Sequence, residues 1–228
     1  MTDFNQIAAP ASASGPDDER PVSISARLGR LQFHRSGKFR VLQLADIQDG
    51  PKVSKDTIRL IEASLDAARP DVVIFTGNQI AGYDDAYCDT FRKRQWEPAR
   101  RGKIERTRAK VRAGISAFLQ PLIDRGIPFA VTYGNHDAQC GLSPAELDAL
   151  YREFPGCINP PCNMDDSAAN PGFLVRSVPS SGLPDQPVAA CEPGTFAMPV
   201  LDQDRQRAVL GLVCLLYTSP SPRDAHES

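Results

Sequence analysis

Three short apolar runs, each ending in a cluster of polar residues, organise the sequence. The run from Phe39 to Leu44 alternates apolar and polar residues, Asp71 to Thr76 is mostly β-branched or aromatic, and Phe129 to Thr132 is similar. Alternation is typical of a half-buried strand, and a continuous apolar run is typical of a strand covered on both faces. The pattern therefore predicts three strands with polar carboxyl ends.

Segments with helical spacing follow these strands. Ser54 can cap a helix that runs to about Ala68, and a second helical pattern extends from about Lys103 to Asp124. Ser143 begins a capping box with proline at the first helical position. Strand, loop and helix thus alternate three times, which predicts an α/β fold, α+β by some schemes.

The remaining apolar runs predict further strands. Leu28 to Phe33 is expected to form a hairpin with the Phe39 to Leu44 strand, leaving His34 exposed at the turn. Gly172 to Val178 and Thr195 to Val200 are short strand-like runs among Pro, Ser, Gly and Ala, as in an edge hairpin. One more core strand is expected at Arg207 to Val213.

The chain divides into three parts by composition. Residues 1–21 lack an apolar period and predict a flexible leader. Residues 22–213 are expected to form the folded domain, and residues 214–228 a non-native or disordered tail. Residues 215–224 resemble a translated sequencing adapter, which would make the chain a fragment; a natural Ser/Pro-rich tail is the alternative.

Composition narrows the class of protein. Charged residues are 24% and hydrophobic residues 41% of the chain, and the formal net charge is -2. These values are ordinary for a globular protein and give no general attraction to nucleic acid or membrane. No secretory signal is visible, and the six cysteines form no CxxC pair, so reduced thiols and a cytoplasmic location are expected.

A basic stretch between Arg92 and Arg112 has two interpretations. Its ten Lys and Arg residues stand against only Glu97 and Glu105. The favoured interpretation is the solvated face of a helix and the loop before it, with Trp96 as a packing anchor. The alternative is a positive rim that attracts a phosphorylated substrate.

The polar strand ends supply the candidate chemistry. The third, Gly134 to Asp137, places an amide, an imidazole and a carboxylate in consecutive positions. These groups offer a metal ligand, an acid and a residue that orients the acid. A simple polar turn is the alternative, because Gly, Asn and Asp are common turn residues.

Together the three ends resemble the calcineurin-like metallophosphoesterases, and most closely their purple acid phosphatase-like branch. The Asp-x-His block of that family corresponds to Asp46–Gln48, and its Gly-Asp block to Gly77–Asn78. Its Gly-Asn-His-(Asp/Glu) block is intact at Gly134–Asp137, and the helix start from Gly141 to Leu147 is also similar. The resemblance covers about residues 38–213.

The resemblance implies a β-sandwich flanked by helices and two metal ions, from Fe, Mn, Zn or Mg, at the strand ends. The ions would activate water to hydrolyse a phosphorylated substrate. His136 would act near the leaving-group oxygen, and Asp137 would orient its ring. The implied metal ligands are Asp46, Gln48, Asn78 and Asn135, with position 78 bridging both ions.

Two departures from the family pattern affect this implied centre. Gln48 stands where the family has histidine, and Asn78 where it has the bridging aspartate. An amide oxygen is a poorer bridge between divalent ions than a carboxylate. Asp49 is a nearby candidate to restore the charge. The later family blocks, an isolated His and a Gly-His-x-His, do not occur in this sequence.

The sequence leaves three hypotheses open. The chain is a metal-dependent phosphoesterase with an altered site, or a non-catalytic relative that binds metal, phosphate or a partner. In the third hypothesis the chain as given does not complete a competent site. Hydrolysis is what the family implies, whereas this polypeptide is expected to be inactive.

Overall fold

The computed structural model describes part of the chain: residues 31–94, 97, 103–159, 174–175, 186–187, 191–201 and 208–214. The predicted leader, the predicted tail and Trp96 lie outside the described residues. The division into leader, domain and tail stays a prediction.

A parallel three-stranded sheet carries the polar strand ends. Its strands are β2 (Val41–Leu44), β3 (Val72–Thr76) and β4 (Phe129–Thr132), in the order β2-β3-β4. Helices α1 (Lys55–Ala68) and α2 (Ile104–Arg125) make the two crossover connections. These strands and helices confirm the sequence prediction, including its α/β class.

The helix ends follow from local chemistry. Ser54 accepts the Asp56 N–H at the start of α1, and α1 ends at Arg69, whose φ of 46° is left-handed. Helix α3 (Pro144–Arg152) begins with the predicted capping box, in which Ser143 and Glu146 bond reciprocally.

A second sheet covers the other face of the parallel sheet. Strand β8 (Thr195–Leu201) is its centre and pairs with β1 (Leu31–Gln32), β7 (Cys191–Glu192) and β9 (Ala208–Cys214). The expected edge position of the Thr195 run is therefore wrong, while the strand expected near Arg207 is present as β9. Strands β5 and β6 form a separate two-residue pair; they are Leu174–Val175 and Gln186–Pro187.

The side chains of β3 alternate between two apolar cores. Val73 and Phe75 face the helices and belong to the first core. Val72 and Ile74 face the second sheet and belong to the second core. The apolar stripe of α2 is buried in the first core; its members are Val111, Ile115, Phe118, Leu119 and Leu122. The described residues thus form a β-sandwich whose parallel sheet packs against the helices in one core and against the second sheet in the other.

The predicted hairpin between β1 and β2 is wrong. A turn does join them, since the Gly37 N–H donates to His34 O (2.9 Å). The two strands then enter different sheets, β1 beside β8 and β2 beside β3. They diverge because Leu31 packs in the second core, while Leu42 packs in the first.

His34 is buried, which corrects its expected exposure. Only 3% of the residue is accessible, and its Nε2 lies 2.5 Å from Asp71 Oδ1. Asp71 Oδ2 also accepts the Arg40 N–H at 2.7 Å. The imidazole therefore has a structural partner at the start of β3.

No helix among the residues that the structure describes has both the length and the apolar character needed to cross a membrane.

Arg69 tests the cost of a left-handed backbone at a helix end. Arg69→Gly should raise the free energy of unfolding by about 0.5–1 kcal/mol, because glycine adopts positive φ without a Cβ clash. The control, Arg59→Gly in the exposed interior of α1, should lower it by about 1 kcal/mol. Urea unfolding measures both, and changes of the same sign would contradict the prediction.

Candidate functional site

The three polar strand ends meet at one edge of the parallel sheet. Leu44 pairs with Phe75, and Thr76 pairs with Thr132, so the strands finish at nearly the same level. Backbone bonds continue beyond β2 and β3 into the loops, because Asp46 N donates to the carbonyl of residue 77 (3.1 Å). The structure therefore brings together the site residues of all three loops.

The backbone of these loops is unusual. Asp46, Gln48 and Asn78 have φ values of 53°, 47° and 56°, and with Arg69 they are the non-glycine residues of the described chain with positive φ. Such conformations cost on the order of 1–3 kcal/mol each and persist only when the surroundings enforce them. Their concentration at one edge marks it as a functional-site candidate.

Two glycines allow the second and third loops to touch. A Cβ on Gly134 would lie 2.1 Å from Asn78 Oδ1, and a Cβ on Gly77 would lie 2.9 Å from the Gly134 nitrogen. Gly77 also has a φ of 109°. The glycines of both sequence motifs are thus required by close approach of the backbones.

Asp137 joins these two loops from inside. Its carboxylate is fully buried and accepts the N–H groups of Asn78 (2.7 Å), Gly134 (2.7 Å) and Ile80 (2.9 Å). Burial raises the pKa of Asp137 to about 6, although these N–H groups and that of Gln79 act in the opposite direction. Asp137 therefore holds the backbone of the second and third loops together.

The expectation that Asp137 orients the ring of His136 is wrong. The Nδ1 of His136 lies 2.8 Å from Gln139 Oε1, and its ring meets Tyr83 edge-to-face at a centroid distance of 5.1 Å. Asp137 is directed to the backbone because its neighbouring loops present three N–H groups. Whether His136 and Asp137 take part in catalysis stays a prediction.

Gln139 and Tyr83 were not predicted from the sequence as site residues. Gln139 lies three residues after His136, in the short 3-10 turn Asp137–Cys140, and that spacing was an available signal. Tyr83 lies in the loop after β3 and is 49% exposed, and its partner is distant in sequence.

Hydrogen bonds from two amide groups converge on Asp46. Gln48 Nε2 and Asn78 Nδ2 donate to the same Asp46 Oδ1, at 3.2 and 3.0 Å. The Gln48 oxygen accepts from the Tyr83 hydroxyl (3.1 Å), and the Asn78 oxygen accepts from the His136 N–H (3.0 Å). With the Tyr83–His136 ring contact these five residues form a closed circuit, named here the amide ring.

The amide ring does not fit a two-metal centre. An amide nitrogen offers a metal no lone pair, and both site amides direct their nitrogens at the carboxylate of Asp46. The orientation of Asn78 follows from its partners, a carboxylate at one end and a backbone N–H at the other. Within the described ranges no group of three or more His, Cys, Asp or Glu residues is placed to hold a metal ion.

The other two metal-related residues do not change this result. Asn135 is exposed beside His136. Asp49, the candidate to restore negative charge, instead accepts the Ser54 N–H at 3.2 Å near the start of α1.

Cations of α2 serve mainly to hold neighbouring elements. Arg108 and Arg112 pair with Glu146 and Glu153 at 2.7 Å each, and Lys110 donates to a loop carbonyl at 2.6 Å. These cations of the described part thus have structural partners, while the solvated-face and substrate-attracting interpretations of the basic stretch both stay predictions.

The layered fold and the three strand-end loops define a metallophosphoesterase domain. Residues 39–183 match the family described as calcineurin-like phosphoesterase. Because the match covers more than half of the chain, the chain belongs to that family.

The similar proteins include one named as a phosphatase and others named as probable inactive phosphatases. Phosphatase DCR2 of Saccharomyces cerevisiae is 27% identical over 151 residues, 60% of this chain and 22% of the yeast protein. Probable inactive purple acid phosphatase 29 of Arabidopsis thaliana is 22% identical over 189 residues, 74% of this chain and 43% of that protein. Probable inactive purple acid phosphatase 28 of Arabidopsis thaliana is 26% identical over 133 residues, 51% of this chain and 28% of that protein. The chain spans less than half the length of each, and no solved structure matches it significantly.

Removing one acceptor oxygen of Asp137 should destabilise the site. In Asp137→Asn only one oxygen remains as acceptor, and the new NH₂ group faces backbone N–H donors. We expect the free energy of unfolding at pH 7, measured by urea unfolding, to fall by about 2–3 kcal/mol. Asp89→Asn, at an exposed position, is the control and should change it by less than about 0.5 kcal/mol. Equal effects would contradict the structural role.

The same pair of variants tests the sign of the pH dependence. Because the pKa of Asp137 rises from 3.8 to about 6 on folding, the folded state holds this proton more tightly than the unfolded state. The resulting stabilisation is complete below about pH 4 and is lost as pH rises through about 6. The stability advantage of wild type over Asp137→Asn should therefore shrink across this window, by on the order of 1–3 kcal/mol. An advantage that grows with pH would contradict the raised pKa.

Proposed function

We propose that this chain is a catalytically degenerate metallophosphoesterase-fold protein, whose site binds a ligand or partner without turnover. One observation carries the proposal: the amide nitrogens of Gln48 and Asn78 both donate to Asp46 Oδ1. The position where the family would share a carboxylate between two cations is held by hydrogen bonds.

Charge balance supports the proposal. Asp46 is the one carboxylate in the amide ring, and two N–H donors already bond it. A cation at Asp46 Oδ1 would compete with both donors and would meet neutral amides, which coordinate divalent ions weakly compared with carboxylates. The names of the Arabidopsis relatives include the word inactive, which supports a protein without turnover.

Hydrolysis of phosphate esters is the second candidate. It is favoured by the intact Gly134–Asp137 loop, in which Asn135 is exposed and His136 is partly exposed. The yeast relative bears the name of a phosphatase. This candidate would require Fe, Mn, Zn or Mg, a phosphorylated substrate and a rearranged amide ring. The cytoplasmic location and the absence of nucleic-acid partners expected from the sequence remain predictions.

The decisive assay measures phosphate release from p-nitrophenyl phosphate with Mn, Fe, Zn or Mg added in turn. We expect no turnover by the wild-type chain above the rate of the metal alone. Turnover that disappears in His136→Ala would overturn the proposal and favour the second candidate.

Asn78→Asp should convert the site into one that responds to metal. One new carboxylate oxygen would accept the His136 N–H. The other would take the place of the present amide nitrogen, which lies 3.0 Å from Asp46 Oδ1. Like charges at that distance repel, so the variant should unfold at a lower temperature until a divalent cation binds between them.

The readout is thermal unfolding with and without 1 mM Mn²⁺. At a hundredfold excess over the dissociation constant, binding stabilises by about 2.7 kcal/mol, which raises Tm by several degrees. Asn78→Ala, which lacks both the amide and the new charge, is the control. We expect a shift in Asn78→Asp alone; an equal shift in wild type would contradict the proposed loss of the metal centre.

A further inference from the structure

The imidazole of His136 is held by a side chain that the proposed function does not use. Gln139 spans from the ring to the loop before α2: its Nε2 donates to the Lys93 carbonyl at 2.9 Å, and its Oε1 lies 2.8 Å from His136 Nδ1. Both contacts are within ordinary hydrogen-bond length.

These two contacts determine where the imidazole proton lies. A backbone carbonyl can only accept, so the end of the Gln139 amide facing Lys93 must be the NH₂ group. The other end is then the oxygen, which also can only accept. His136 Nδ1 must therefore carry a hydrogen. A neutral imidazole has one N–H, which leaves a lone pair on Nε2.

The backbone around Gln139 keeps its side chain in place. The Arg92 N–H donates to Gln139 O at 2.8 Å, and Thr90 Oγ1 donates to Cys140 O at 2.7 Å. On the other side the chain packs against Gly82, where an added Cβ would lie 2.9 Å from the Gln139 Cβ. The backbone that carries the Gln139 side chain is thus held by these contacts.

The opposite nitrogen of the ring is left for a ligand. In the part of the chain that the structure describes, no hydrogen bond engages His136 Nε2, and this atom is not among the buried polar atoms that lack a partner. Nε2 is therefore open to solvent, while Tyr83 covers one side of the ring.

We propose that Gln139 is the positioning residue of His136: it fixes the Nδ1–H tautomer and leaves Nε2 as the acceptor that the site presents. The inference rests on the proposed function in that it concerns the same site. A group bound there must donate a hydrogen bond to the neutral ring, as a hydroxyl or a monoprotonated phosphate does. If the second candidate function holds, a proton taken up and released at Nε2 returns the ring to the same tautomer.

The test is the ¹⁵N NMR spectrum of the chain labelled at histidine, recorded at about pH 9, where an ordinary histidine with a pKa of about 6.5 is neutral. Nitrogens with and without hydrogen differ strongly in chemical shift, so each ring reports its tautomer. The signals of His136 are those absent from His136→Asn. We expect hydrogen on Nδ1 and none on Nε2.

The chain contains its own reference. His34 faces the carboxylate of Asp71 through Nε2, so Nε2 of His34 should carry a hydrogen, in contrast to Nε2 of His136. Gln139→Ala should shift His136 toward a mixture of tautomers and leave His34 unchanged. Gln139→Glu, which keeps an acceptor beside Nδ1, should retain the Nδ1–H form. Gln120→Ala, on the exposed face of α2, is the matched control and should change neither ring.

Hydrogen on Nε2 of His136 in the wild-type chain would overturn the inference, as would an unchanged tautomer in Gln139→Ala. The wild-type spectrum decides the first point even if a variant fails to fold. The measurement involves no metal and no turnover, so its failure is separate from failure of the proposed function.

Discussion

The site depends on one buried carboxylate and the backbone N–H groups around it. Asp137 is inaccessible to solvent, and it accepts bonds from the loop after β3 and from its own loop after β4. A buried carboxylate without such donors would be very costly, so the two loops are required to keep their present conformations. The contact between Asn78 and Gly134 follows from this arrangement, since both N–H groups converge on one oxygen.

The amide ring connects the same loops through side chains. In a dinuclear centre, cations would compensate the acidic ligands. Here the N–H groups of Gln48 and Asn78 stabilise Asp46 instead, and their oxygens are used by Tyr83 and by the His136 backbone. Every polar end of the two amides has a complementary partner, so the circuit is self-consistent without added charge.

Local signals predicted much of the fold, and distant pairings account for the errors. The capping box at Ser143 and the apolar run of β3 each determine a structure within a few residues, and both were predicted correctly. The partner of β1 lies about 170 residues away in β8, and no local pattern specifies it. His34 was misjudged for the same reason, because its partner Asp71, just before β3, is 37 residues away. The three site loops were predictable from their motifs, whereas the direction of the Asp137 carboxylate depends on N–H groups fixed only by the folded loops.

The strained backbone supports a site that is maintained by its scaffold. Asparagine and aspartate tolerate left-handed φ better than most residues, but glutamine has no such advantage, and Gln48 still adopts a φ of 47°. Its N–H donates to the Asn78 carbonyl at 3.0 Å, so pairing between the two loops enforces the conformation. The geometry therefore arises from the sheet edge and the Asp137 contacts, independently of the side chain at position 48. The scaffold thus sets the backbone geometry at positions 48 and 78, and the side chains at these positions make the hydrogen bonds to Asp46.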